Sequence, residues 1–329
     1  MKGLYQKTTI HRIVNLIVLK LSYYFSILTK KPHVCGCPVA VSIEPVNYCN
    51  LACPECFAGN GNLARERQLL ELDCFQKIIN QLPSSVSYIT FYLQGEPFLH
   101  PEFADLVRIA NKKNIFTSTS TNGHFLSDRD KTKKIISSGL DRIIVSIDGT
   151  TQQVYEQYRK NGNLQKVIDG VKTLVELKKE LHSKTPYIEI QFLVMAHNEH
   201  QVSEMKKLAK SLEVDELTFK SAQIYDFENG SELMPKDEKY CRYYKDKDGK
   251  YHIKGKLKNR CWRQWSSVVI TASGDVLPCC FDKNGAYSFG NVFEHTCNEI
   301  WHGKKVTEFR KAILNNRKDI DICKNCTEV

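Results

Sequence analysis

The sequence predicts an α/β fold of parallel strands alternating with helices, and three observations predict it. Six short apolar or β-branched runs follow residue 39, each bounded by Gly, Pro or Asn. Segments of helical periodicity fill the intervals between them, which is the order that builds parallel βα units. The chain has 329 residues, 42% hydrophobic and 26% charged, enough for a substantial core. Such units either open into a doubly wound sheet or curl into a partial barrel; in both, ligands bind at the carboxyl ends of the strands.

The first segment, 1–38, carries an apolar stretch at residues 10–28, IHRIVNLIVLKLSYYFSIL. His11, Arg12 and Lys20 interrupt it, so it lacks the roughly 20 uncharged residues of a spanning helix, and no small-x-small cleavage site follows. Two readings stay open: a helix packed on the next domain, or an interfacial helix on the inner membrane face, helped by Lys2, Lys7, Arg12, Lys20, Lys30 and Lys31. The second segment, 39–235, holds strand candidates at 39–46, 88–93, 115–120, 142–147, 187–195 and 216–224, with helices at 72–81, 102–113, 128–138, 164–181 and 199–211. Asp128 is placed to cap the third helix, and Leu174, Leu177 and Leu181 give the fourth an apolar face.

The third segment, 236–329, takes most of the formal charge of +10. Residues 236–263 hold 11 basic and 4 acidic side chains, while 264–329 is neutral and 1–235 carries only +3. So local an excess argues against a general nucleic-acid binder. The alternating lysines and aromatics suit a solvated hairpin around Asp248-Gly249, or a face toward an anionic substrate or headgroup.

Thirteen cysteines, an odd number without a secretory signal, point to metal ligands and buried thiols rather than disulfides. Cys49, Cys53 and Cys56 follow the first strand with Cx3Cx2C spacing, which brings three thiolates to one loop. Zinc in a structural site takes four protein ligands; three suit a [4Fe–4S] cluster with one iron open. This loop resembles the signature of the radical S-adenosylmethionine (SAM) superfamily. The resemblance implies a TIM-like partial (β/α)6 barrel whose open iron chelates SAM, and an electron from a reductase or flavodoxin-type donor that cleaves it to a 5′-deoxyadenosyl radical. One departure is Glu55, where the family usually has an aromatic residue.

Further matches fall at strand ends. Gln94-Gly95-Glu96-Pro97 resembles the GGEP motif that binds the SAM amino group, and a carboxylate suits an ammonium. Thr121-Asn122-Gly123 ends the third strand, and Ser146-Ile147-Asp148-Gly149 resembles the SxDG motif near the ribose and carboxylate. Arg159, in Tyr158-Arg159-Lys160, resembles the arginine that pairs with the SAM carboxylate; its bland reading is a residue at a surface helix end. Val194 to Asn198 ends the fifth strand, where relatives line the adenine pocket.

Cys261, Cys279, Cys323 and Cys326 form a second set. With a hairpin expected about Ser273-Gly274 and a turn and helix over 291–309, they resemble the SPASM/Twitch extension, a β-hairpin plus helix that carries auxiliary [4Fe–4S] clusters. Four ligands imply one auxiliary cluster closed to substrate; a four-cysteine zinc site is the alternative. Cys35, Cys37, Cys74, Cys241, Cys280 and Cys297 remain, most of them as packing. Cys280 occupies the position where sulfatase-maturing relatives place a catalytic aspartate. Asp282, two residues on, is either a proton acceptor or a turn-stabilising residue.

The resemblance thus implies a cytoplasmic oxidoreductase that abstracts hydrogen from substrate in an oxidative modification assisted by the auxiliary cluster. About 38 residues precede the first strand, too few for the leader-binding domain of many peptide maturases. The expected substrate is therefore a small molecule, a carbohydrate or a lipid-linked compound. A ribosomal peptide recruited by a separate protein is the second reading, and a non-catalytic cluster- or zinc-binding protein the third.

Overall fold

The computed structural model describes residues 7–326; Lys2, one of the cations expected to flank the apolar stretch, lies outside them. In chain order the elements are α1 (Ile10–Thr29), β1 (Ala40–Ile43), α2 (Phe57–Asn60), α3 (Leu72–Gln81), β2 (Tyr88–Phe91), α4 (Phe103–Lys112), β3 (Phe116–Thr121), α5 (Arg129–Ser137) and β4 (Arg142–Ser146). There follow α6 (Gln152–Tyr158), α7 (Leu164–Glu180), β5 (Tyr187–Val194), α8 (Val202–Ser211), β6 (Glu216–Ser221), β7 (Tyr243–Lys245) and β8 (Tyr251–Ile253). The last are α9 (Arg263–Ser266), β9 (Ser267–Ile270), β10 (Val276–Leu277), α10 (Cys297–Trp301) and α11 (Lys304–Asn316).

All six expected strands and all five expected helices form. Asp128 caps α5 by accepting from the Lys131 amide at 3.1 Å. The helices not anticipated are the short α2, α6 and α9; the sequence of α6, QQVYEQY, offers two buried tyrosines, Tyr155 and Tyr158, and no apolar period. The main sheet runs β10-β9-β1-β2-β3-β4-β5-β6, with a separate β7-β8 hairpin. The pairs β1–β2, β4–β5 and β5–β6 are parallel, the arrangement of a partial (β/α)6 TIM-like barrel.

The chain divides into two compact units. Unit 1 comprises the chain up to Asn47, Leu63–Ser118 and Lys256 onward; unit 2 comprises Tyr48–Asn62 and Thr119–Gly255. In unit 1, β9 adds to β1 in parallel, Ala40 opposite Ser267 through Ile43 opposite Ile270, and β10 turns back antiparallel. The hairpin turns at Gly274, at φ +89°, where a Cβ would come within 2.8 Å of Phe293 and Asn291 atoms. Only glycine fits that conformation and that space.

The charge that unit 1 must accommodate is Glu44, just past β1 and wholly buried. Arg65 answers it with a fork of two 2.6 Å bonds, and the amides of Gln94 and Ala272 donate to the same carboxylate at 3.2 Å. Arg65 is itself fixed by the Lys283 carbonyl at 2.8 Å. One carboxylate thus ties β1 to the segments that follow β2 and β9.

Helix α1 packs on unit 1 with its polar side. Arg12, Asn15, Ser22 and Ser26 are buried with Leu19 and Tyr23. Arg12 donates to the carbonyls of Lys7, Ser84 and Asn114, and Asn15 exchanges bonds with Cys37 at 2.8 and 3.0 Å. Tyr23 lies edge-on to Trp262 and Trp265, at 5.3 and 5.4 Å between centroids.

In unit 2, inward residues of adjacent strands stack in register, Ile143 by Ile188 and Phe192 by Phe219. Gly149 admits no side chain, since a Cβ would stand 2.6 Å from the Tyr155 amide midway along α6. The basic segment does form a hairpin, β7–β8, turning at Gly249 with φ +83°. Asp246 holds the turn, accepting from the amides of Asp248 and Lys250 and pairing with His252 at 2.6 Å.

Arg65→Ala would leave Glu44 buried and unanswered, and removal of one partner from such a pair costs about 3–5 kcal/mol. Chemical denaturation should show a loss of that order. Adding Glu44→Gln should recover much of it, because a neutral amide tolerates burial better than a lone carboxylate.

Candidate active site

The loop carrying Cys49, Cys53 and Cys56 belongs to unit 2. Its backbone closes on itself: the Cys56 amide donates to the Cys53 carbonyl at 3.1 Å, and the amides of Gly59 and Asn60 donate to the Cys56 carbonyl at 2.8 Å. Gly59 permits this, as a Cβ there would lie 2.7 Å from the Cys53 nitrogen. Cys53 is buried among Leu51, Tyr158, Met195, Ala222, Ile224 and Tyr243, with Cys49 and Cys56 half-buried against the same cluster. Burial pushes the Cys53 thiol up, while the Arg159 guanidinium pulls it down. A cation or a bound metal would favour its thiolate. Glu55, the departure from the family pattern, accepts from the Tyr225 amide at 2.9 Å, and Phe57 stacks on the Tyr225 ring at 4.5 Å.

Arg159 lies at the end of α6, turned inward with its side chain 13% exposed. Its Nε donates to Asp148 Oδ2 at 2.6 Å and its Nη1 approaches Cys53 Sγ at 3.9 Å. Burial alone would lower its pKa, but Asp148 and Cys53 outweigh that and hold it well above the ordinary value. Asp148, wholly buried at the end of β4, spends Oδ1 on the Leu193 amide at 2.7 Å. Asn198 braces the same turn, donating to the carbonyls of Asp148 and Leu193 at 2.9 Å. Ser146 is buried two residues before Asp148.

Asn122, after β3, donates to Asn50 Oδ1 at 2.8 Å and approaches Cys49 Sγ at 3.7 Å. His124 orients it. The Asn163 amide donates to His124 Nε2 at 2.8 Å, which assigns the ring proton to Nδ1, and Nδ1 stands 2.9 Å from Asn122 Oδ1. Burial lowers the His124 pKa, so the neutral ring persists.

In unit 1, the Gln94-Gly95-Glu96-Pro97 turn depends on Gly95 at φ +78°. Gln94 Nε2 donates to the Leu93 carbonyl at 2.9 Å, and Glu96, almost fully buried, accepts from the Phe98 amide at 3.1 Å. In the C-terminal region Cys261, Cys323 and Cys326 are buried and Cys279 is half-buried. Their thiols act on one another: burial raises Cys279 most, with Cys261 and Cys323 adding to it, and burial carries Cys323 to about 11 against the pull of Arg317.

Among the described residues no three His, Cys, Asp or Glu side chains converge as around a single metal ion. Four sulfurs about one zinc at ~2.3 Å would stand about 3.8 Å apart, whereas a cubane spreads its thiolates wider. Thiols in sets of three and four, the first with Arg159 against Cys53 and the second with Arg317 against Cys326, suit an anionic iron–sulfur cluster.

Asp282 is buried, and both its oxygens accept backbone amides, from Ala286 at 2.8 Å and Tyr287 at 2.9 Å. Burial raises its pKa and these bonds oppose the rise. That is the geometry of a residue holding its own turn. Cys280 packs against Leu93, Val269 and Leu277. Glu44, His124 and Arg317 were missed from the sequence. A lone Glu closing the apolar run AVSI was a signal for the first; nothing local marks the other two.

A parallel α/β fold with a Cx3Cx2C loop after its first strand and four further cysteines beyond it defines an iron–sulfur enzyme of the SAM-cleaving kind. Residues 43–209 match the Radical SAM superfamily and residues 261–327 match the SPASM iron-sulfur cluster-binding domain. The chain belongs to the radical SAM superfamily and carries a SPASM region. It is 27% identical over 309 residues to the tungsten-containing aldehyde ferredoxin oxidoreductase cofactor-modifying protein of Pyrococcus furiosus, covering 83% of each chain. It is 25% identical to the PqqA peptide cyclase of Gluconobacter oxydans, covering 80% of this chain and 76% of that one. Streptococcus suis SuiB bound to its precursor peptide SuiA shares the fold, with a TM-score of 0.65, 15% identity, and coverage of 89% and 72%. The cofactors are accordingly SAM, its [4Fe–4S] cluster and auxiliary iron–sulfur. When bound, they supply the 5′-deoxyadenosyl radical that takes hydrogen from substrate.

Asp282→Asn forfeits one of two amide acceptors and should cost about 1–2 kcal/mol, read as a lower Tm, with SAM cleavage intact. A variant of unchanged Tm that cleaved SAM but made no product would assign Asp282 to proton transfer instead.

Proposed function

We propose that the protein carries out a radical-initiated oxidative modification, with Cys49, Cys53 and Cys56 holding the SAM-chelating cluster and Cys261, Cys279, Cys323 and Cys326 a single auxiliary [4Fe–4S] cluster. Gln94, Gly95, Glu96, Pro97, Asn122, Ser146, Asp148 and Arg159 bind SAM in this reading. Residues 39–235 form the catalytic barrel and 236–329 the auxiliary-cluster domain. The observation that carries the proposal is the cysteine loop itself: Cys53 beside the Arg159–Asp148 ion pair and Cys49 beside Asn122. Arg159 supports it in two ways, neutralising thiolate charge and offering a fork for a carboxylate. The substrate we favour is a small molecule, a carbohydrate or a lipid-linked compound met at a membrane surface. A peptide is the second reading, favoured by the PqqA cyclase relative and by the fold shared with peptide-bound SuiB.

Anaerobically reconstituted protein should hold about eight irons, four for each cubane, and cleave SAM to 5′-deoxyadenosine with dithionite. Replacing Cys49, Cys53 and Cys56 by alanine should halve the iron and abolish cleavage. Replacing Cys323 and Cys326 should leave slow, uncoupled cleavage and remove product. Cleavage surviving the first triple variant, or two zincs without sulfide, would refute the assignment.

We further infer a cytoplasmic protein that rests on the inner membrane face through α1. The helix has its polarity reversed for a soluble protein. Its polar side chains are turned inward and hydrogen-bonded, while Ile10, Leu21 and Leu28 are 82%, 65% and 82% exposed, with Ile13, Val14, Leu16, Ile17, Tyr24 and Phe25 beside them. Exposed apolar surface of that extent marks an interaction site. Arg12, inward and bonded to three carbonyls, fixes the helix along the protein, so the fit is to a bilayer interface rather than a span. Lys30 and Lys31 are exposed at its C-terminal end, where they complement anionic headgroups. The protein should cosediment with phosphatidylglycerol-containing vesicles and less with neutral ones. A triple Ile13→Ser, Ile17→Ser, Leu21→Ser variant should stay folded and lose binding at least tenfold; retained binding would refute the assignment.

A further inference from the structure

Arg317 follows α11 and is 1% exposed, among the largest fully buried side chains described. Two contacts fix its position: its amide donates to Asn259 Oδ1 at 3.0 Å, and Nη1 donates to the Arg260 carbonyl at 2.7 Å. The remaining face of the guanidinium is turned to sulfur. Nη2 donates to Cys326 Sγ at 3.2 Å; the Arg260 carbonyl that Nη1 holds is one residue from Cys261, and the Cys326 amide closes a turn on the Cys323 carbonyl at 3.1 Å. One buried guanidinium thus bonds one of the four proposed ligand sulfurs and holds the backbone next to a second. No local feature of the sequence connects it to them.

An iron–sulfur cluster on four thiolates is an anion, and reduction adds one more negative charge. Hydrogen bonds to the ligand sulfurs, net charge and exclusion of water set its potential, and charge effects are strongest where water is absent. A buried guanidinium bonded to a ligand sulfur stabilises the reduced form more than the oxidised form. Charge-assisted bonds of this kind are stronger than neutral ones.

We propose that Arg317 is a positioning and potential-setting residue for the auxiliary cluster: it raises the reduction potential so that the cluster is poised to accept an electron during an oxidative turnover. The inference rests on the auxiliary-cluster reading above. It concerns the ease of reduction and not whether the cluster is present.

The test is an EPR-monitored redox titration. It is performed on protein that also carries Cys49→Ala, Cys53→Ala and Cys56→Ala, so that only the auxiliary signal is observed. About four irons and four sulfides per chain in this background would uphold the auxiliary-cluster reading independently, and their absence would overturn that reading first. Arg317→Gln should then lower the potential by at least a tenfold change in the reduction equilibrium, about 59 mV for one electron. Arg317→Lys, which keeps the charge but loses the fork, should restore part of the shift. An unchanged potential in Arg317→Gln overturns the proposal. If neither variant assembles the cluster while the parent does, Arg317 is a folding residue and the proposal also falls.

Discussion

Asp148 stands at the carboxyl end of β4 without access to water, and much of unit 2 is arranged to answer its charge. A buried carboxylate is costly unless it is paired and hydrogen-bonded. Here Arg159, the Leu193 amide and the Asn198 brace at its backbone supply the response. Pairing draws Arg159 inward from the end of α6, and Gly149 makes room by letting α6 pack directly against the chain. Arg159 then reaches Cys53, so the carboxylate at the end of one strand orders the loop that carries the cysteines.

The same device recurs in unit 1. Glu44 is buried past β1, and Arg65, Gln94 and Ala272 converge on it. In the C-terminal region the partners are reversed in sign: Arg317 is the buried charge, and the Cys326 sulfur accepts from it. Each buried charge joins segments distant in sequence. The cost of leaving any one unanswered holds the loops at strand ends, where the fold family places its chemistry.

Helix α1 obeys the same arithmetic in the opposite direction. Its polar groups find partners within unit 1, so its apolar face is left outward. From sequence, a packed helix and an interfacial helix were alternatives. In three dimensions the polar side is packed, and among the described residues the apolar side stays exposed, which is the feature the proposed interfacial placement rests on.

Much was legible in the sequence. The six strands, the five helices, the hairpin at Asp248-Gly249 and the Cx3Cx2C loop were read from periodicity, turn residues and spacing, and the hairpin at Ser273-Gly274 from a family resemblance. These are local properties, fixed by side-chain pattern and backbone sterics. The tertiary structure alone decided that Arg159 turns inward to Asp148, that Asp282 holds its own turn, that β9 adds in parallel to β1, and that Arg317 lies against Cys326. Each joins residues far apart in the chain or depends on what is desolvated nearby. Burial, which sets the strength of a charge, is a property of the whole fold and leaves no mark on a short stretch of sequence.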